Sequence, residues 1–234
     1  MKNLLTILFL FIASCSRAQK YYLGFLPKAP IININLTNAI IVCDGNSLTY
    51  GYQSSNPPTT GYPNVMHGLV PFNTNGATIY NFGVSSQTTG DMLSDVATQV
   101  YPLYSSSVTS IVVAYEIGND IYFNGRVDSA EARFQRYCLG VKAVGFKVVV
   151  VTLTPRDQTT AFGDSPSTYQ GKIDAINTWL RANYLSFADA IADLQADSRF
   201  TTYNTTYFNG DKVHYTDAGY AAMADIIKTA ILSL

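Results

Sequence analysis

A three-layer α/β/α sandwich around a mainly parallel sheet of about five strands is the fold that this 234-residue chain predicts. Short, unbroken apolar runs alternate strictly with longer helical patterns, the order that yields a parallel sheet covered on both faces. No repeat or low-complexity tract interrupts the series. The length suffices for one α/β domain with a sizeable core, and no shift in composition divides it.

The elements follow in order. Met1-Lys2-Asn3 and the apolar residues 4–13 have the charged start and short hydrophobic core of an export signal. Such a run cannot span a bilayer, which takes roughly 20 residues as helix. It closes with Ile12-Ala13-Ser14-Cys15, which resembles the lipobox of bacterial lipoproteins, so residues 1–18 read as a lipoprotein-type signal with Cys15 as the lipidated residue. Cleavage after Ala18, where Ser16-Arg17-Ala18 offers small residues, is the competing reading. The expected location is accordingly the cell envelope or the exterior, with membrane contact only through a lipid anchor.

Residues 19–37 read as a tether and an extended segment. Pro27 and Pro30 discourage helix, and Ile32, Ile34 and Leu36 alternate with asparagines at the period of a short strand. From residue 38 to 234 the main domain is expected to place strands at 39–43, 78–81, 111–115, 147–153 and 187–191. Helices are expected near 89–101, 129–144, 169–184 and 216–232.

Fifteen basic against sixteen acidic residues give a net charge of −1 without a basic stripe, which argues against nucleic acid as a partner. Of three cysteines, Cys43 and Cys138 remain in the mature fold. They read as small buried apolar side chains rather than a bridge, which would need Cβ atoms within about 4.5 Å. Two histidines and three cysteines cannot build an ordinary zinc site without carboxylates, and neither a phosphate-binding Gly-rich loop with Lys-Ser/Thr nor His-Glu-x-x-His occurs. No metal and no cofactor are expected.

The chemistry gathers where strands should leave the sheet. Asp44-Gly45-Asn46-Ser47 follows the apolar run Ala39-Ile40-Ile41-Val42-Cys43, placing a hydroxyl in the loop region where open α/β sheets bind ligands. A serine hydroxyl needs a base, a group that orients the base, and donors for the oxyanion formed on attack. His214 in Asp211-Lys212-Val213-His214 offers base and carboxylate at a spacing that lets the carboxylate reach Nδ1 and leaves Nε2 free. His67 has no carboxylate beside it and reads as structural. Thr49 rules out the Gly-x-Ser-x-Gly elbow of α/β-hydrolases.

Two more segments follow expected strands: Asn81-Phe82-Gly83-Val84-Ser85-Ser86-Gln87-Thr88-Thr89-Gly90 and Glu116-Ile117-Gly118-Asn119-Asp120. With the serine and histidine segments they form four ordered blocks, and together they resemble the SGNH (GDSL-like) hydrolase family from about Asn38 to the end of the chain. The resemblance implies a flavodoxin-like sandwich and a serine esterase. Ser47 would be the nucleophile, His214 the general base and Asp211 its orienting group. The oxyanion hole would comprise the N–H groups of Ser47 and Gly83 and the Asn119 side-chain amide. Two departures stand out: Asn46 replaces the aspartate that often precedes the serine, and the third-block glycine comes one place late, at Gly118.

The resemblance and the export signal together imply hydrolysis of carboxylic esters through an acyl-enzyme, with an acylated small molecule or glycan as substrate and deacetylation of a carbohydrate as the leading expectation. Residues 50–60 and 154–168 are rich in Pro, Ser, Thr and Gln and lack the aliphatic run that a long acyl chain would need, which favours short acyl groups. The seventeen tyrosines could form a sugar-stacking surface or simply cover a protein low in charge. Lysophospholipase, thioesterase or acyltransferase action at the same site, and a non-catalytic glycan-binding module, remain the alternatives.

Overall fold

The structure, a computed structural model, describes residues 34–234. Cys15, the export signal and most of the tether lie outside the described residues. Five strands, β1 (Ile40–Gly45), β2 (Thr78–Gly83), β3 (Ser110–Tyr115), β4 (Lys147–Val151) and β5 (Ala190–Ala192), form one sheet in the order β2-β1-β3-β4-β5, and every pairing is parallel. All six residues of β3 are buried. Because successive side chains point to opposite faces, both faces of the sheet are covered, as the unbroken Val/Ile runs require.

The long helices are α4 (Thr89–Gln99), α6 (Val127–Val144), α7 (Pro166–Asn183) and α8 (Asp217–Leu232). Three of the four have a side-chain cap: Thr88 and Asp91 form a capping box for α4, Ser165 and Pro166 open α7, and the Thr216 hydroxyl accepts from Gly219 N–H at α8. Four short helices were not expected: α1 (Ser47–Tyr50), α2 (Pro57–Thr60), α3 (Tyr62–His67) and α5 (Gly118–Asn124). α3 packs on α8, while α4 packs on α6 and α6 on α7.

β1 and β2 run two residues beyond their expected ends, because the pairs Asp44↔Phe82 and Gly45↔Gly83 stay in register. β4 stops at Val151, and β5 begins only at Ala190 because a 3₁₀ turn at Tyr184–Ser186 occupies the approach. Residues 34–36 belong to no strand; instead Leu36 is buried and the Asn35 carbonyl accepts from Thr109 Oγ1 at 2.6 Å. Cys43 and Cys138 are buried free thiols, both pushed upward in pKa by burial.

The register decides where chemistry can occur. Gly45 is level with Gly83 on one side and Tyr115 on the other, so β1, β2 and β3 end on one line. The chain passes from β1 to β2 on one flank and then to β3 on the other. The crevice between β1 and β3 is therefore the point of topological reversal at which open α/β sheets take ligands.

Candidate active site

Gly45 ends β1 so close to β3 that an added Cβ would lie 2.2 Å from the Tyr115 carbonyl oxygen, so only glycine lets the chain turn out here. Asn46 next caps α1, its Oδ1 accepting from Leu48 N–H at 2.9 Å. The cap leaves Ser47 in the first helical position, with its Oγ 2.8 Å from His214 Nε2.

His214 is held by a closed turn. Asp211 Oδ1 accepts the N–H groups of Val213 and His214, each at 3.0 Å, and its Oδ2 stands 2.6 Å from His214 Nδ1. Asn209 closes the loop, donating to the His214 carbonyl from its backbone at 2.8 Å and to the Tyr215 carbonyl from its side chain at 2.7 Å. The Tyr52 ring meets the imidazole edge-on, centroids 4.8 Å apart. Burial holds His214 below the ordinary 6.5 against the pull of Asp211, and the Arg156 charge acts in the same downward direction. Burial would raise Asp211, but its bonds from the His214 ring and the two N–H groups outweigh that and hold it low. An ionised Asp211 fixes the proton on Nδ1 and leaves Nε2 as the acceptor facing Ser47.

Asn119 is brought to the same crevice. Its Nδ2 donates one hydrogen to the Gln87 carbonyl at 2.8 Å, leaving the second for the cleft. Its position is in register although Gly118 comes late, because the buried Ile117 itself takes the left-handed conformation, φ 89° and ψ −25°. A β-branched residue there stores strain of roughly 1–3 kcal/mol, which the surrounding core holds in place.

Gly83, by contrast, is not brought to the cleft. It ends β2, its N–H donates to Asn81 Oδ1 at 3.0 Å, and an added Cβ would lie 2.0 Å from Tyr50 N, so this glycine is needed for α1 to pack against the strand. The residues that reach the cleft from this block are Ser85 and Ser86, the central pair of a tight turn closed by Gln87 N–H to the Val84 carbonyl at 3.1 Å. The φ of 66° at Ser86, the third turn position, is the backbone of a type II turn, in which the central peptide is flipped and its N–H turns outward. A serine in place of the usual glycine concealed the position. His67 stands exposed on the last turn of α3, outside the lining of the cleft.

Glu116, which sequence reasoning did not single out, ties two blocks together. Its Oε1 accepts the Asn119 N–H at 2.8 Å and its Oε2 accepts from Asn46 Nδ2. Burial pushes this carboxyl up to about 8, and Asp120 adds to the rise. Asp120 is itself a structural anchor, accepting from Thr89 N–H at 2.9 Å and Arg133 Nε at 2.8 Å. Asn46 and Glu116 are thus a donor–acceptor pair occupying the place of the missing aspartate. Above pH 8, where Glu116 is ionised, Asn46→Asp would set two acceptors face to face, and Glu116→Gln would set two donors face to face. Each single change is expected to cost about 1–3 kcal/mol, while the double variant Asn46→Asp/Glu116→Gln restores one donor and one acceptor and most of the stability. Urea unfolding of the four proteins above pH 8 measures the coupling, and additive losses would mean the pair is not a unit.

The crevice opens into a cleft of about 330 Å³. Ser47, Asn119, Ser86 and His214 line it, with Tyr52, Tyr122, Phe123 and Arg156 among the remaining walls. A hydroxyl in contact with a neutral imidazole, facing amide N–H donors, can add to an ester carbonyl and stabilise the resulting oxyanion.

Comparison with curated protein sequences finds no match. Solved structures with the same fold include a member of the lipolytic protein G-D-S-L family from Veillonella parvula, with 17% identity, 84% of this chain and 100% of that chain covered, and a TM-score of 0.66. The acetyl xylan esterase AlAXEase matches at 18% identity over 82% of this chain and 99% of its own, TM-score 0.62. A catalytic mutant of an acetylxylan esterase from Geobacillus stearothermophilus matches at 14% identity, 86% and 96% coverage, TM-score 0.63. The model of the GDSL-like lipase/acylhydrolase family matches residues 43–222, a span that holds the β1 turn, the Ser86 turn, Asn119 and the Asp211–His214 turn. With most of the chain matched and the fold shared, this protein belongs to the GDSL-like lipase/acylhydrolase family and is an SGNH-type serine hydrolase, an esterase.

Proposed function

We propose that the protein removes short acyl groups, acetate above all, from a carbohydrate through an acyl-enzyme formed on Ser47. His214 Nε2 takes the Ser47 proton as Oγ bonds to the ester carbonyl carbon. Asp211 stabilises the imidazolium, and the oxyanion is held by the N–H groups of Ser47 and Ser86 and the free Asn119 amide hydrogen. The imidazolium then gives its proton to the departing sugar oxygen. Water, deprotonated by the same nitrogen, releases the acid.

The observation that carries the reading is the cleft itself. At about 330 Å³ it suits a small acyl group with one sugar ring better than a lipid chain, and Tyr52, Tyr122 and Phe123 offer aromatic faces beside the triad. The acetyl xylan esterase named among the similar structures supports the same reading. The test is kcat/KM on acetyl, butyryl, octanoyl and palmitoyl 4-nitrophenyl esters, together with acetate release from acetylated glycans. Acetyl should lead and rates should fall with chain length; a rise toward octanoyl would replace the deacetylase by a lipase or thioesterase.

The base sets a pH dependence. Because the folded pKa of His214 lies below 6.5, kcat/KM should climb as the imidazole loses its proton, with a midpoint under pH 6.5 and a plateau by neutrality. A midpoint above pH 7 would remove His214 as the base. Cys15 is proposed as the lipid attachment point, so Cys15→Ser should shift the protein out of the membrane fraction on detergent phase partition; unchanged partition would favour cleavage after Ala18.

A further inference from the structure

The cleft contains a buried cation that the ester chemistry above does not use. Arg156 lies in the segment between β4 and α7 and lines the cleft with Ser47, Asn119 and His214, yet it is only 5% exposed. Its Nε meets no acceptor, and none of the ion pairs among the described residues includes it. Buried arginines are ordinarily paired, because a desolvated charge is costly without a counter-charge.

No carboxylate among the described residues lies in ion-pair contact with the guanidinium. Burial raises the phenols of Tyr115, Tyr169 and Tyr215, so all three stay neutral. Tyr169 donates its hydrogen to the Gly118 carbonyl at 3.2 Å and offers Arg156 its oxygen as a neutral acceptor. Glu116 attracts Arg156 but is not in ion-pair contact with it: its oxygens face Asn46 Nδ2 and the Asn119 N–H, and burial pushes the carboxyl up to about 8. The backbone at Arg156 is anchored by its own N–H, which donates to Gln170 Oε1 at 3.1 Å, and the side-chain Nη2 packs so near Gly118 that an added Cβ would come within 3.2 Å of it. The guanidinium therefore stands beside Gly118, the residue before Asn119, and lines the same cleft.

We propose that Arg156 recognises a carboxylate on the substrate, within about one sugar ring of the scissile ester. The planar fork matches a carboxylate in bidentate geometry, and the cleft is the side from which a ligand can approach it. This rests on the esterase reading and narrows its substrate to acidic esters. The carboxylate can belong to the alcohol half, as in an O-acetylated uronic acid, or to the acyl half, as in a hemiester of a dicarboxylic acid.

Two substrate pairs separate these sources: an O-acetylated methyl glucuronoside against the matching glucoside, and 4-nitrophenyl hemisuccinate against 4-nitrophenyl butyrate. In one pair the anionic member should lead by about 10- to 100-fold in kcat/KM, the range a charge-assisted bond supports, chiefly through KM and weakening with added salt. Arg156→Gln should erase that ratio, and Arg156→Lys, which keeps charge but loses the fork, should retain part of it. Equal treatment of both members in both pairs overturns the proposal while leaving the esterase intact. So does a loss in Arg156→Gln that falls equally on charged and neutral esters through kcat, which would make Arg156 an oxyanion donor. Binding of free glucuronate or succinate to the wild-type protein, against glucose, is measured by NMR titration and needs neither turnover nor a folded variant. Selective binding without hydrolysis of any ester would uphold Arg156 and refute the proposed function; glucuronate and succinate binding no better than glucose refutes Arg156.

Discussion

Ser47→Ala and His214→Ala are each expected to lower kcat by up to about 10⁶-fold, with the double variant little worse than either, because a hydroxyl without its base and a base without its hydroxyl are equally idle. The 2.8 Å contact between Ser47 Oγ and His214 Nε2 makes the two groups one device. Asp211→Asn should cost roughly 10⁴-fold with folding intact. An amide placed 2.6 Å from Nδ1 can hold that nitrogen as acceptor, which moves the proton to Nε2 and turns the wrong face of the ring to Ser47. Single-turnover kinetics on 4-nitrophenyl acetate, with circular dichroism to verify folding, measures all four proteins. Losses that simply multiply in the double variant would dissolve the unit.

The parts of this site that were legible share a physical origin. Buried strands leave long Val/Ile runs, and a serine immediately after such a run must sit at the sheet's carboxyl edge. Asp211 and His214 were readable as a pair because three residues of turn are enough for a carboxylate to reach its own imidazole. What failed was the reading of the second block by its glycine. Gly83 looks like a loop glycine only if β2 ends at Asn81; two further pairings carry it into the sheet, where it serves the packing of α1. The left-handed positions that do shape the cleft carry Ser86 and Ile117, residues whose type does not advertise a positive φ. Glu116 was invisible for another reason: its partner Asn46 is 70 residues away, and only the register of β1 against β3 brings the two together. Arg156 likewise acquires meaning only when the surrounding phenols are known to be neutral and the carboxyl beside it is known to be engaged.

Asn119→Ala should lower kcat by about 10²- to 10³-fold, or roughly 2.7–4 kcal/mol of transition-state stabilisation, with KM nearly unchanged. The ground-state carbonyl oxygen is a weaker acceptor than the oxyanion and has not yet moved to the position the donors address, so deleting a donor is felt mainly in the transition state. Asn119 is well suited to that task because neither of its other donors is spare. Its backbone N–H is bound to Glu116 and one amide hydrogen to the Gln87 carbonyl, and these two bonds fix where the remaining hydrogen points. Alanine keeps the first bond and orphans only the Gln87 carbonyl, so the fold should lose no more than about 1–3 kcal/mol. Asn119→Asp is the sharper variant. It sets a carboxylate against both the Gln87 carbonyl and the developing oxyanion, and its kcat should fall below that of the alanine variant although its side chain is nearly the same shape. Steady-state kinetics on 4-nitrophenyl acetate decides the matter: a raised KM at constant kcat in Asn119→Ala would mean that Asn119 grips the substrate uniformly, and an Asn119→Asp variant faster than Asn119→Ala would mean that no negative charge develops beside it.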